Sequence, residues 1–391
     1  MKKSRLRFVA PIAIVTALAL AGCSTSNLGG SSPKDPAGKS GPIKIGAVLD
    51  ITGVGASLGV PEQNTLTMLA KQLNADGGID GRDVELTILD DQSTEDGAAK
   101  ATSKLIESDK VDLIIGASRT GPSLAMRPIA EAAKIPMISV AANVKDSKWV
   151  FKTTQNDVSV LETILNDAQN KGYTKLALVR DATGFGEGIA DYITQLGTKR
   201  GITLVTTESF EPSATDFTPQ MTNVRASDAD AVIIWGINPS AGLAQKAYVQ
   251  LGVNKPVYHS HGIANQAFFD TAGDAANGAI AAMGRLLVTD QLPADNPQRA
   301  VIEKFQADYS AAYGEQPSTF GGHAFDAWHI AVNAIGKAGT DANALRDELE
   351  KAKFTGISGV FQMSAKNHSG LDASALILAK AQDGRWNLVK N

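Results

Sequence analysis

The chain has 391 residues, a length that suits about two domains. Hydrophobic residues make up 43% and charged residues 20%, a globular balance that excludes a chain disordered over most of its length. The formal net charge is −4; loss of residues 1–22 would remove four of the 37 basic residues and none of the 41 acidic ones, giving −8. That sign excludes nucleic acid as a partner, which needs a basic footprint, and excludes electrostatic adhesion to anionic lipid.

Lys2, Lys3, Arg5 and Arg7 form a basic start, and residues 8–20 an apolar stretch too short and wrongly flanked for a spanning helix. It ends in Leu20-Ala21-Gly22-Cys23. Small residues before a Cys here resemble a bacterial lipobox, in which the Cys is lipidated and becomes the mature N-terminus. Residues 1–22 therefore read as a lipoprotein signal peptide. Residues 23–42, rich in Gly, Ser, Pro and Lys, read as a flexible tether. The lipid would hold the body at the extracytoplasmic face of the cell membrane. Cys23 is the one Cys in the chain, so the body has neither a disulfide nor a thiol nucleophile.

From residue 43 strand and helix alternate. Strands are expected at 43–49, 84–89, 111–115 and 136–140, with helices at 62–75, 95–108 and 121–133 between them. The pattern restarts after residue 150. Helices at 158–171, 186–200, 217–227 and 240–251 alternate with strands at 176–180, 203–208, 231–235 and 257–259. A strand over 280–289 leaves this unit, helices follow at 297–313, 319–338 and 342–353, and a hairpin around Asp383-Gly384 closes the chain. Such runs give an α/β protein of two doubly wound, Rossmann-like lobes.

In open parallel sheets, ligands sit in the turns beyond the carboxyl ends of the strands, where helix N-termini offer unpaired N–H groups. Three turns qualify: 52–59 after the first strand, 118–123 after the third and Ala141-Ala142-Asn143 after the fourth. For any one of them taken alone, simple capping by Ser, Thr and Asn is the better explanation. Gly53, Gly55 and Gly59 nearly form a dinucleotide fingerprint but are spaced one residue too far. Asp90-Asp91 ends a strand and reads as a turn stabiliser. No nucleophile elbow is present, so no enzyme and no cofactor is expected. His259 and His261, two apart, would share a strand face; with His323 or Asp326 they would begin a metal site, but too few ligands are adjacent and none is expected.

The segments IKIGAVLDITG, NADGGIDGR, DDQS, IIGASRTGPSLA, IPMISVAAN, DATGFGEG and GRLLVTD together resemble the leucine/isoleucine/valine-binding family of solute-binding lipoproteins and periplasmic proteins, over essentially all of 43–391. The resemblance implies a type I periplasmic binding protein: two lobes joined by three crossovers, with ligand between them. It places lobe one at 43–152 and 290–360, and lobe two at 153–289 and 361–391. It implies a monomer that serves the permease subunits of an ABC importer. It puts the ligand carboxylate at Thr120 and at Ala141 with Asn143, an aromatic lid at Phe185, and Asp157 near the first lobe-two helix. Arg119, beside Thr120, would add a charge-assisted contact.

The chain departs from the family at His261, where amino-acid binders carry an acid for the ligand ammonium, and at Leu58 and Ile237, where they carry aromatics. A buried ammonium without a carboxylate partner costs several kcal/mol. The expected ligand is thus a small carboxylate without an α-amino group, of the aromatic or branched kind. An ordinary branched-chain or other amino acid, and a role as a receptor's ligand-sensing subunit, stay open as alternatives.

Overall fold

The computed structural model describes residues 41–389 except Asp146. The expected signal peptide, Cys23 and all but the end of the tether lie outside the described residues.

The first lobe opens with β1 (Ile43–Leu49), α1 (Ala56–Ala75), β2 (Val84–Asp90) and α2 (Glu95–Lys104), which runs into a π turn. β3 (Leu113–Gly116), α3 (Thr120–Ala133), β4 (Met137–Ser139) and β5 (Val150–Lys152) follow. All five strands are parallel, in the order β2-β1-β3-β4-β5. β1 is buried almost throughout, as a strand with both faces covered must be. α1 begins at Ala56 rather than at 62 and runs through Pro61. Proline has no N–H, so the Ser57 carbonyl four residues back has no helical donor.

The second lobe contains α4 (Asp157–Asn170), β6 (Lys175–Asp181), α5 (Ile189–Thr198), β7 (Thr203–Phe210) and α6 (Thr218–Ala226). It continues through β8 (Ala231–Trp235), α7 (Ser240–Gln250), β9 (Val257–His259), α8 (Gln266–Ala272) and β10 (Ile280–Met283). The strand expected over 280–289 therefore stops at Met283, and Leu286–Gln291 is 3-10. The chain returns through α9 (Arg299–Tyr313), α10 (Thr319–Ala338), α11 (Ala342–Leu349), β11 (Lys353–Thr355) and β12 (Val360–Gln362). α10 packs along α1. β13 (Ile377–Gln382) and β14 (Arg385–Leu388) then join the second sheet, whose order is β14-β13-β10-β9-β8-β6-β7. Asp383 and Gly384 both have left-handed φ, 52° and 74°, as a tight two-residue hairpin requires.

The chain thus passes between lobes after β5, after β10 and before β13. His368 stacks on Phe151 of β5 at 4.2 Å, and the Lys152 N–H donates to the His368 carbonyl at 3.1 Å. The Gln362 N–H donates to the Gly370 carbonyl at 2.9 Å. These contacts keep 361–370 on lobe one, so the third passage lies beyond Gly370 rather than at 360/361.

Candidate functional site

A cavity of about 140 Å³ lies between the lobes, beyond the carboxyl ends of β1, β3, β4, β6, β8 and β9. A cavity of that size admits a benzene ring. Its lobe-one wall is the start of α3, with Ser118, Arg119, Thr120 and Gly121, followed by Ala141, Ala142 and Thr154. The first N–H groups of α3 have no helical acceptor and carry partial positive charge. Thr154 Oγ1 is buried without a hydrogen-bond partner. Unpaired N–H groups and a spare hydroxyl of this kind suit a small anion.

Arg119 does not reach out as the sequence suggested. Its Nε pairs with the buried Asp50 carboxylate, and its Nη2 donates to the Ser93 carbonyl at 2.5 Å. Behind it, the Ser118 hydroxyl donates to Glu62 at 2.5 Å and accepts from the Asp50 N–H at 3.0 Å. Burial pushes the Glu62 carboxyl well above the usual range, and the Ser118 bond pulls the other way. Burial and the neighbouring Asp50 push Asp91 up to about 8. Asp90 differs: burial raises it, but bonds from Thr52, Gln92 and Ile51 prevail and hold it below the usual range. Both aspartates also organise the 90–94 turn, through the N–H groups of Gln92 and Ser93.

In lobe two, Asp181 ends β6 and folds the turn after it. Its Oδ1 accepts from Thr183 N, Thr183 Oγ1 and Gly186 N at 2.6–3.0 Å. A Cβ on Gly186 would lie 2.0 Å from the Asp181 carbonyl, so only glycine lets the turn close. The turn presents Phe185, whose carbonyl accepts from Trp235 Nε1 at 3.1 Å. His261 opens a short 3-10 turn after β9 and meets the Phe185 ring edge-on at 5.5 Å. Burial holds its imidazole down at about 4, hence neutral, and Nδ1 has no hydrogen-bond partner. From α10 comes His323, pushed down to about 3 by burial and then by His261. His323 Nδ1 lies 2.8 Å from Ser358 Oγ.

The structure brings Leu58, Arg119, Thr120, Ala141, Phe185, Ile237 and His261 to one cavity. Asn143 and Asp157 are not in it; they line an adjoining depression with Lys152 and Ser369, and only Ala142 borders both. Asn143 donates to the Gly184 carbonyl at 3.4 Å. Asp157 is buried with neither carboxylate oxygen hydrogen-bonded; burial pushes it up to about 8, with Lys152 opposing. The shared face of His259 and His261 also fails. His259 stays in the strand, where Nε2 meets Gln245 Oε1 at 2.8 Å, while His261 has already turned into the cleft. Among the described residues, no group of three or more His, Cys, Asp or Glu is placed to hold a metal ion. Sequence reasoning missed Asp181, Thr154 and Phe320, and weighed His323 only as a metal ligand.

The lobes touch beside the cavity. Ser57 Oγ donates to the Asn238 carbonyl at 3.3 Å, and Asn265 Nδ2 donates to the Ser57 carbonyl at 3.4 Å. Asn238 Nδ2 donates to Asn265 Oδ1 at 2.7 Å. Asn265 thus supplies the donor that Pro61 withholds.

Two doubly wound lobes, three passages and a cavity between strand ends define a two-lobed solute-capture protein. The chain belongs to the periplasmic binding protein family, which it matches over residues 42–385. It is of the branched-chain amino acid type, the solute-binding, non-enzymatic components of ABC transporters. The Leu/Ile/Val-binding protein BraC3 of Rhizobium johnstonii is 25% identical over 80% of this chain and 84% of its own. An extracellular ligand-binding receptor from Rhodopseudomonas palustris HaA2 is 32% identical, with a TM-score of 0.84 over 89% of this chain and 99% of its own. The substrate-binding protein LivJ of Streptococcus pneumoniae, solved with isoleucine, is 25% identical, with a TM-score of 0.77 over 90% of this chain and 100% of its own. The family works outside the cytoplasm, and no described helix is long and apolar enough to cross a membrane.

Proposed function

We propose that this protein is the lipid-anchored capture subunit of an ABC importer, and that its ligand is a small carboxylate with a compact ring-sized or branched body and no α-amino group. Neutral His261 in the lobe-two wall carries this reading, because it stands where an ammonium would need an acid. The carboxylate binds at the start of α3, at Thr120 and beside Ala141, and Leu58, Phe185 and Ile237 enclose the body. Cys23 carries the lipid, and the monomer docks on its permease when closed. A ligand that touches both lobes favours the closed state by its differential affinity.

A second reading, an α-amino acid, is favoured by Asp181. It lines the cavity, and its Oδ2 is not used by the turn, so it would face an ammonium. A receptor's sensing subunit would use the same capture step; adjacent permease genes separate the two roles. The test is a thermal-shift screen of protein unfolded and refolded to strip carried-over ligand, pairing each amino acid with its deaminated acid. A ligand at 100 times its Kd adds roughly 2.7 kcal/mol of stability. A rise with deaminated acids alone supports the proposal; a rise with leucine or valine alone overturns it in favour of Asp181.

A further inference from the structure

Asp181 gives the cavity a charge that a ligand without an ammonium does not answer. It lines the cavity, is 3% exposed, and takes three donors, Thr183 N, Thr183 Oγ1 and Gly186 N, on its Oδ1. None of these bonds uses Oδ2. The turn that Asp181 closes lies against the start of α3: a Cβ on Gly184 would stand 3.4 Å from Thr120 Cγ2 and 3.8 Å from Gly121 N. A carboxylate held at the start of α3 is therefore about a turn's width from Asp181.

The charged neighbours do not cancel it. Arg119 acts on Asp181 from the start of α3, but its guanidinium already pairs with Asp50 and donates to the Ser93 carbonyl. Asp91 stands beside Asp50, and Glu95, exposed, reaches Gly121. Asp157 acts on Asp181 from α4, with Lys152 opposite. All three acids add charge of the same sign when ionised. His261 and His323 are neutral, held at about 4 and about 3. Burial raises the Asp181 carboxyl, against the Thr183 and Gly186 bonds and the Arg119 charge. A second carboxylate brought into one site strongly raises the proton affinity of the pair.

We propose that a carboxylate ligand enters this cavity together with one proton from solvent, which binds Asp181 Oδ2 and leaves a neutral O–H there. Oδ1, already accepting three bonds, stays the acceptor oxygen of the carboxyl. Asp181 thereby treats the two ligand classes differently: an amino acid supplies its own positive charge, an acid takes a proton from water. The inference rests on the carboxylate reading above.

Stripped protein is titrated calorimetrically with benzoate, 3-phenylpropanoate and 4-methylpentanoate, and with phenylalanine and leucine. Heats in HEPES and in Tris, which differ in ionisation enthalpy, count the protons exchanged. Binding of an acid should take up a proton, approaching one per ligand. At low pH Asp181 is protonated in the free and bound protein alike, and affinity is flat; above the free protein's value it should fall by up to about tenfold per pH unit. Asp181→Asn keeps the Oδ1 acceptor and sets an amide where the O–H would be. It should bind the acids without proton uptake, and at about pH 8 at least fivefold tighter than the native chain. Should that variant not fold, benzamide, the neutral analogue of benzoate, should take up no proton on the native chain. Acid binding without proton uptake, uptake that survives Asp181→Asn, or equal uptake with benzamide overturns the inference and leaves the carboxylate reading standing. If only the amino acids bind, both fall.

Discussion

Removing the Asn265 side chain should loosen closure without touching the ligand. The Asn238 to Asn265 bond lies within lobe two and exists in open and closed forms alike, so it cancels from their ratio. The Asn265 Nδ2 to Ser57 bond exists only when the lobes meet. At 3.4 Å it is long, which puts it at the low end of the usual 0.5–1.5 kcal/mol. Asn265→Ala should therefore shift the open:closed ratio by about 0.5–1 kcal/mol, roughly twofold to fivefold. Pro61→Ala supplies the Ser57 carbonyl with a helical N–H in both states. In that background Asn265→Ala should change the ratio by less than about 1.5-fold. Pulsed spin-resonance distances between labels at Lys100→Cys in lobe one and Lys199→Cys in lobe two, with Cys23→Ser, read the two populations. An equal effect of Asn265→Ala with and without Pro61 would refute the account.

His261→Glu should restore a lobe-two acid and raise leucine affinity tenfold or more, since a hydrogen bond to a charged group contributes about 1.5–3 kcal/mol; unchanged calorimetric affinity would deny His261 its assigned place. Asp157→Asn should stabilise the fold increasingly with pH. Asp157 titrates near 8 when folded and near the ordinary carboxylate value when unfolded, so its carboxyl favours the folded state at low pH and that advantage is lost as pH rises through 8. The variant's gain in denaturation midpoint should therefore correspond to about 1–3 kcal/mol more at pH 8 than at pH 5, and equal gains at both would show that Asp157 is not held protonated. Cys23→Ser should abolish incorporation of labelled fatty acid and move the protein to the soluble fraction; unaltered labelling would place the lipid elsewhere.

The regular parts of the fold were legible because burial writes them as apolar runs. β1, β8, β9 and α10 begin and end where the pattern set them. The first turns of α1 were not legible: the helix starts at Ala56 and runs through Pro61, and a contact from the other lobe satisfies the carbonyl that the proline strands. α8 was missed because a seven-residue helix carries no full amphipathic repeat, and its Phe268 is fixed by stacking on the distant Trp386. The candidate site was legible where it sits in turns after strands, from Leu58 to His261. Asp181 was not, because a polar residue closing an apolar strand looks like the first residue of a loop. The hydrogen-bond chain behind His323 joins residues 323, 326 and 358, and no local pattern announces that a helix and a distant turn will share three polar groups.

The sheet order of lobe two has a consequence for how the chain reaches its native state. β10 is flanked by β9 on one side and β13 on the other, and β13 lies far along the chain from both. Until residues 377–382 arrive, β10 is an open edge with a row of unpaired N–H and C=O groups, the kind of surface that recruits strands from other molecules. High separation between paired strands also slows folding. A chain truncated after β12 would therefore retain lobe one's strands yet leave lobe two with a sticky, unfinished sheet. Its principal hazard would be aggregation at β10 rather than the loss of any ligand contact.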